Sequence, residues 1–181
     1  MNQNIIRQIK KIVITALCSD DEIMENLSLK GGSAIQEFYN IRNKARSSTD
    51  LDYSLSQQFE DFENVKNKIE LILHEEFNKS DFRIIDFDFY ENPDPQKVKN
   101  IIYTGYKIEF KIVSKELYDN QYKNIKSKRL QAFDIDGGKS FKIEFSNYEF
   151  IQDSVYKNYE NFDVKVYTPE MIVCEKLRAL C

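Results

Sequence analysis

Asp50 and Asp52 stand one residue apart in the segment TDLDYSL, and their carboxylates are the first groups in this sequence whose spacing suggests chemistry. The segment alternates as a strand does. Leu51, Tyr53 and Leu55 share one face, and Asp50, Asp52 and Ser54 share the other. Aspartate is a poor strand former, and an unpaired buried carboxylate is costly. Two carboxylates on one side of a strand repel each other unless a cation lies between them. A hard dication with oxygen ligands is the natural occupant, and magnesium (or manganese) suits a site shared with phosphates. The plainer reading is a solvent-facing strand that keeps a sheet soluble. Asp86 and Asp88, alternating with Phe87 and Phe89, read that way, as surface residues.

The residues upstream favour the site over the plain strand. Gly31, Gly32 and Ser33 precede the short helical pattern SAIQEFY, with Ser33 at its N-terminus. Small residues and backbone N–H groups at a helix start form a cradle for phosphate. A glycine turn, a short helix, a basic residue and then Asp-x-Asp on a strand together make a nucleotide-plus-metal arrangement. A third carboxylate would complete it. Glu109 in YKIEFKIV and Glu144 in FKIEFSNYE both alternate between apolar neighbours, and both are candidates. The single histidine, His74, argues against histidine-based metal sites and Ser-His-Asp catalysis. Carboxylates, lysines, arginines and hydroxyls remain.

The elements that must position these residues follow from periodicity. Ile5, Ile6, Ile9, Ile12, Val13, Ala16 and Leu17 fall at helical spacing, so the chain opens with an amphipathic helix. LSLKGG reads as a short strand entering a tight turn. Phe62, Val65, Ile69, Ile72 and Leu73 mark a helix from about Phe59 to Phe77. FRIIDFDFY and YKIEFKIVS are strands, separated by the loop ENPDPQ. Residues 115–133 read as helical and basic. KSFKIEFSNYEF is a strand after the turn DGG, and DVKVYT is a short one. TPEMIVCEKLRAL is a helix with Thr168 as N-cap and Pro169 at the first helical position. With no repeat or linker, the expectation is one α+β domain, a mixed β-sheet flanked by helices.

Bulk properties narrow the class. A chain of 181 residues with 41% hydrophobic and 31% charged residues can bury a sizeable core. A net charge of −4 argues against a general polyanion binder and leaves room for a local basic patch. No apolar run is long enough to span a bilayer, and no signal-peptide pattern opens the chain. Cys18, Cys174 and Cys181 are widely spaced and odd in number, which reads as reduced thiols in a cytoplasmic protein.

The stretches LKGGSAIQEFY and RSSTDLDYSL resemble the first motif of the AbiEii/AbiGii toxin family, a branch of the DNA polymerase β-like nucleotidyltransferases. Gly31, Gly32, Ser33, Arg46, Ser48, Asp50 and Asp52 fall on its Gly-Gly-Thr/Ser-Ala and Arg-x-Ser-x-Asp-Leu/Ile-Asp pattern. The insert NIRNKA makes the spacing slightly long. VYTPEMIVCEKLRAL is similar to a later family motif, in which Lys176 falls on a lysine thought to contact nucleotide phosphates. Glu175 and Arg178 read there as structural. The resemblance favours Glu144 over Glu109 as third carboxylate and implies a polymerase β-like nucleotidyltransferase core. It covers residues 29–180. Family members continue after EKLRAL into a helical segment with further acidic residues, so a single nucleotidyltransferase-like domain over residues 1–181, without that module, is the expectation. Such a form should bind nucleotide, act weakly or not at all, and expose an apolar patch near Leu177 and Leu180.

The mechanism implied is nucleotide transfer. Asp50, Asp52 and Glu144 would hold one or two magnesium ions, Gly32 and Ser33 the β- and γ-phosphates, and Lys176 would neutralise phosphate charge. Arg46 would either assist or pack across Asp50. The resemblance implies a nucleoside triphosphate as donor, RNA (a tRNA end) as acceptor, a toxin role in phage defence or a toxin–antitoxin pair, and a separate antitoxin protein. Lys115, Lys123, Lys126, Lys128 and Arg129, interleaved with Tyr118 and Tyr122, could contact RNA; equally they form a solvated helix whose tyrosines pack on the sheet. The rival readings are a non-catalytic domain that binds a nucleotide or a partner, and a scaffold whose aspartates are surface residues.

Overall fold

The computed structural model describes residues 3–39, 48–93, 104–120, 122–135, 137–178 and 180. Helix α1 (Gln3–Cys18) buries Ile6, Ile9, Val13, Ala16 and Leu17 of the expected stripe, leaves Ile5 and Ile12 half-buried, and also buries Ile14 and Lys10. A six-residue helix, α2 (Asp21–Asn26), follows, capped by Asp20 accepting from the Ile23 N–H. Strand β1 (Leu27–Lys30) runs directly into α3 (Gly31–Phe38), and β2 (Leu51–Leu55) carries Asp52. Helix α4 (Phe62–Asn78) starts three residues later than its apolar pattern suggests, because Asp61 accepts from the Asn64 N–H and caps it there.

Strands β3 (Phe82–Asn92) and β4 (Gly105–Ser114) lead into α5 (Lys115–Asp119) and α6 (Ile125–Leu130). The single helix expected over 115–133 is therefore two short ones, each with its own N-cap: Ser114 accepts from Leu117 N–H and Asn124 from Ser127 N–H. β5 (Phe141–Ser146) is shorter than its apolar pattern, and Tyr148 just beyond it has φ 59°, off the extended region. β6 (Val155–Tyr159), β7 (Phe162–Val166) and α7 (Pro169–Arg178) complete the chain.

The strands form one seven-stranded mixed sheet in the order β3-β4-β5-β2-β1-β7-β6. β2 runs parallel to β5 and β1 parallel to β7, and the other neighbours are antiparallel. The protein is thus α+β, as the sequence implied. Helices α1 and α4 pack together over one face, against Leu51, Tyr53, Leu55, Ile108, Phe110, Ile143 and Phe145. Rings from Phe62, Phe89 and Tyr106 pack within this layer, with Phe62 and Tyr106 centroids 5.3 Å apart. The opposite face is polar over its centre. At the β3–β4 end a small second cluster, Ile85, Val113 and Ala132 with Leu117, seats α5 on it.

The Asp86–Asp88 alternation is broken. A β-bulge between Ile85 and Asp88, with Asp86 at φ 54°, resets the parity of β3, so that Ile84 and Phe89 both reach the core. Asp88 is exposed, but Asp86 is not the plain surface residue expected. It is held 2.7 Å from both the Lys111 and Arg129 nitrogens, which keeps its carboxyl below the usual range. Among the described residues no helix is long and apolar enough to cross a membrane.

Candidate active site

The turn between β1 and α3 is built around glycine. Gly31 has φ +68°, a conformation that side-chain-bearing residues rarely adopt. A Cβ there would also lie 2.6 Å from Asp52 Oδ2. The turn and the carboxylate are therefore in direct contact. At Gly32 a Cβ would sit 3.1 Å from Ser48 Cβ, so the entry to β2 is equally close. Lys30, at the N-cap position of α3, makes no side-chain cap bond. The first turn thus keeps N–H groups that no helix carbonyl can satisfy. Ser33 lies differently from the sequence expectation. Its hydroxyl is fully buried, donates to the Asp50 carbonyl at 2.6 Å and accepts from Lys10 Nζ at 2.9 Å. It faces inward, and Gly32 and Ser48 are what the turn offers the cleft.

Strand pairing then sets the carboxylates. β1 and β2 place Lys30 opposite Asp52, β2 and β5 place Asp52 opposite Glu144, and β5 and β4 place Glu144 opposite Lys107. Lys30, Asp52, Glu144 and Lys107 form a row across the polar face in which two adjacent carboxylates lie between two lysines. Asp50 precedes β2 by one residue, on the same side of the chain as Asp52. Glu109 sits two strands from Asp52, opposite Lys142. Lys107 Nζ lies 3.2 Å from an oxygen of Glu109 and 3.2 Å from one of Glu144. Burial, reinforced by Glu144 and Asp50 against the opposing pull of Lys30, pushes the Asp52 carboxyl up to about 6. Burial also raises Asp50, with Lys142 acting against it.

These groups form a surplus of negative charge that a cation would relieve. Among the described residues no three carboxylate, histidine or cysteine side chains are gathered closely enough to ligate one ion. The paired Asp52 and Glu144 nonetheless suit magnesium, which commonly takes one or two carboxylates and completes its shell with water and substrate phosphates.

Helix α7 closes the cleft. Thr168 accepts from the Met171 N–H at 3.3 Å, and Pro169 is its first residue. The helix is fixed by ion pairs that sequence reading did not find. Lys30 Nζ lies 2.5 Å from Glu149, 2.8 Å from Glu175 and 3.2 Å from Ser146 Oγ. Arg178 reaches Glu149 at 3.4 Å, and Ser54 donates to Glu149. Burial opposes the charge on Lys30, but its two carboxylates outweigh this and its pKa ends raised. Glu175 and Arg178 hold the helix down, and Lys176 lines a cleft of about 630 Å³ together with Gly32, Ser48, Asp50 and Asp52. Val173, Leu177 and Leu180 give the cleft an apolar side. Glu144 borders a neighbouring hollow with Gly105 and Ser146 instead. Arg46 lies outside the described residues.

The basic segment after β4 commits much of its charge locally. Arg129 binds Asp86, Lys123 donates to Gln131 at 2.6 Å, and Lys128 donates to the Tyr118 carbonyl and lies over the Tyr118 ring. Tyr122 is fully exposed rather than packed on the sheet. Lys10 was also missed, although a lysine within an apolar helical stripe is a signal in itself.

A family model described as "Nucleotidyl transferase AbiEii toxin, Type IV TA system" matches residues 14–181. No curated protein matches by sequence. Two solved structures from Helicobacter pylori share the fold. JHP933 aligns with a TM-score of 0.54 at 13% identity, over 98% of this chain and 57% of its own. A candidate nucleotidyltransferase aligns with a TM-score of 0.55 at 13% identity, over 98% of this chain and 59% of its own. This chain therefore spans less than two thirds of either. With the family model matched over most of its length, the chain belongs to the AbiEii nucleotidyltransferase toxin family of type IV toxin–antitoxin systems.

Proposed function

We propose that this chain carries the core of an enzyme that moves a nucleotide from a nucleoside triphosphate to a hydroxyl of RNA, a tRNA end in the family's manner, as the toxin of a pair whose antitoxin is a separate protein. The observation that carries the reading is the in-register pairing of Glu144 with Asp52, which borders a cleft shared with Gly32 and Lys176. Asp52 and Glu144 would hold magnesium or manganese, with Asp50 adding negative charge beside them, and the bound ion would neutralise triphosphate charge and make the attacking hydroxyl more acidic. Gly32 and the uncapped start of α3 offer N–H groups to the β- and γ-phosphates. Lys176 faces them from α7. The acceptor oxygen bonds to the α-phosphorus, the bond to the bridging oxygen breaks, and pyrophosphate leaves with the electron pair while the hydroxyl proton passes to solvent. The protein's part is positioning and electrostatics, with no side-chain nucleophile.

One observation favours a second reading. Lys107 engages Glu144, as a domain that binds nucleotide without turning it over would tolerate. One experiment separates the two. The protein is incubated with magnesium, each α-labelled triphosphate and total tRNA, and its melting is followed in parallel. Transfer of label, lost in Asp50→Ala and Asp52→Ala together with the magnesium–triphosphate melting shift, supports the enzyme. A shift without label supports the binder. Retention of the full shift in both variants removes the site altogether.

A further inference from the structure

We propose that Lys10 is a positioning residue for the triphosphate site, holding the glycine turn and the carboxylate strand at a fixed separation from inside the protein. The inference rests on the nucleotide reading above and adds to it a residue from α1. Lys10 is 1% exposed, in a helix stripe otherwise made of Ile6, Ile9, Val13 and Leu17. An ammonium is rarely buried so deeply unless its donors are matched. It has three donors, and there are three acceptors: Ser33 Oγ at 2.9 Å, Gln36 Oε1 at 3.3 Å and the Ser48 carbonyl.

Those acceptors come from the two segments that make the site. Ser33 and Gln36 belong to α3, and Ser48 lies at the entry to β2. Ser33 passes the constraint on by donating to the Asp50 carbonyl. The chain of bonds runs from α1 to the backbone of a carboxylate residue without touching the cleft. With every donor committed, Lys10 has none to offer a substrate, so it acts through Ser33 and Ser48. Burial pulls its pKa down to about 8, with Glu37, Asp50 and Asp52 acting against that pull. An apolar residue would fill this place in the core equally well, but only a long side chain with three donors ties both segments.

The test uses the full chain with Lys10→Met, which keeps length and apolar bulk, and Ser33→Ala, which removes one acceptor and the link to Asp50. Folding is followed by circular dichroism and melting. Binding is measured for magnesium with the triphosphate that the wild type holds tightest, and for the matching monophosphate. Lys10→Met should weaken the triphosphate by about tenfold or more, the scale on which supporting residues act, and the monophosphate by less than about threefold. Ser33→Ala should give a smaller loss in the same direction. A merely structural lysine would lower the melting temperature and leave the two affinities in their wild-type ratio. If Lys10→Met folds and binds triphosphate like the wild type, the assignment is overturned. If Lys10→Met does not fold, unchanged triphosphate affinity in Ser33→Ala overturns it instead. A wild type that binds no triphosphate at all sinks the nucleotide reading first, and this role with it.

Discussion

At the scale of single residues, Asp52 carries the tension of the site. It sits against Gly31, between Lys30 and Glu144, and burial lifts its carboxyl from an ordinary 3.8 to about 6. The native state therefore holds this proton more tightly than the unfolded chain does. Its contribution is most favourable below the unfolded value, and it is lost as pH rises through 4 to 6. The full difference corresponds to about 3 kcal/mol at most. Asp52→Asn removes the cost of the buried charge. The variant should melt like the wild type near pH 3.5, and should gain on the order of 1–2 kcal/mol of metal-free stability by pH 7.5, while losing any stabilisation by magnesium and triphosphate. Denaturant melts of both proteins across that range decide it. A gain that is the same at both ends would mean the effect is packing, and that the carboxylate is not electrostatically strained.

At the scale of elements, α7 depends on a buried knot of charge. Lys30 lies between Glu149 and Glu175, with side-chain exposures of 10%, 8% and 23%. Removing one partner of such a group leaves uncompensated charge, which costs about 3–5 kcal/mol. Lys30→Met should cost that much in denaturant melts. Glu175→Gln, which leaves Lys30 its contact with Glu149, should cost about 1 kcal/mol while loosening α7. If both changes are neutral, α7 is held by Ile172 and its neighbours alone. How much of these elements was legible follows from the same residues. The Asp-x-Asp strand and the Gly-Gly turn could be read because period-2 alternation and glycine punctuation are local. Lys30, Glu149 and Glu175 could not, since their pairing spans 119 and 145 positions and exists only once β1, the turn after β5 and α7 meet. Strand β6 escaped because its turn into β7 uses Glu160 at φ 56°, with no glycine to announce it. The bulge at Asp86 hid for the opposite reason: the alternation in the sequence is regular, and the backbone breaks it.

At the scale of the whole molecule, charge limits how an RNA acceptor could be held. The chain carries a net −4, so long-range attraction to a polyanion is weak and contacts must be local. Among the described residues, lysines on the polar face near the carboxylates are Lys107, Lys142 and Lys30, the last already held by Glu149 and Glu175, with Lys176 across the cleft. Lys107 is already shared between Glu109 and Glu144. Arg129, Lys123 and Lys128 are committed to Asp86, Gln131 and the Tyr118 carbonyl. Two or three phosphate contacts are thus what the described residues of this face supply. For single-stranded RNA that gives a slope of log affinity against log salt of about −1.5 to −2, or roughly a tenfold loss between 50 and 200 mM. Fluorescence anisotropy with a labelled tRNA 3′ end over that range measures it. A slope steeper than about −5 would require many more cations than this face presents. The basic helices α5 and α6 would then have to release their local partners on binding, and the acceptor path would run along the β3–β4 end of the sheet instead of staying beside Asp50 and Glu144.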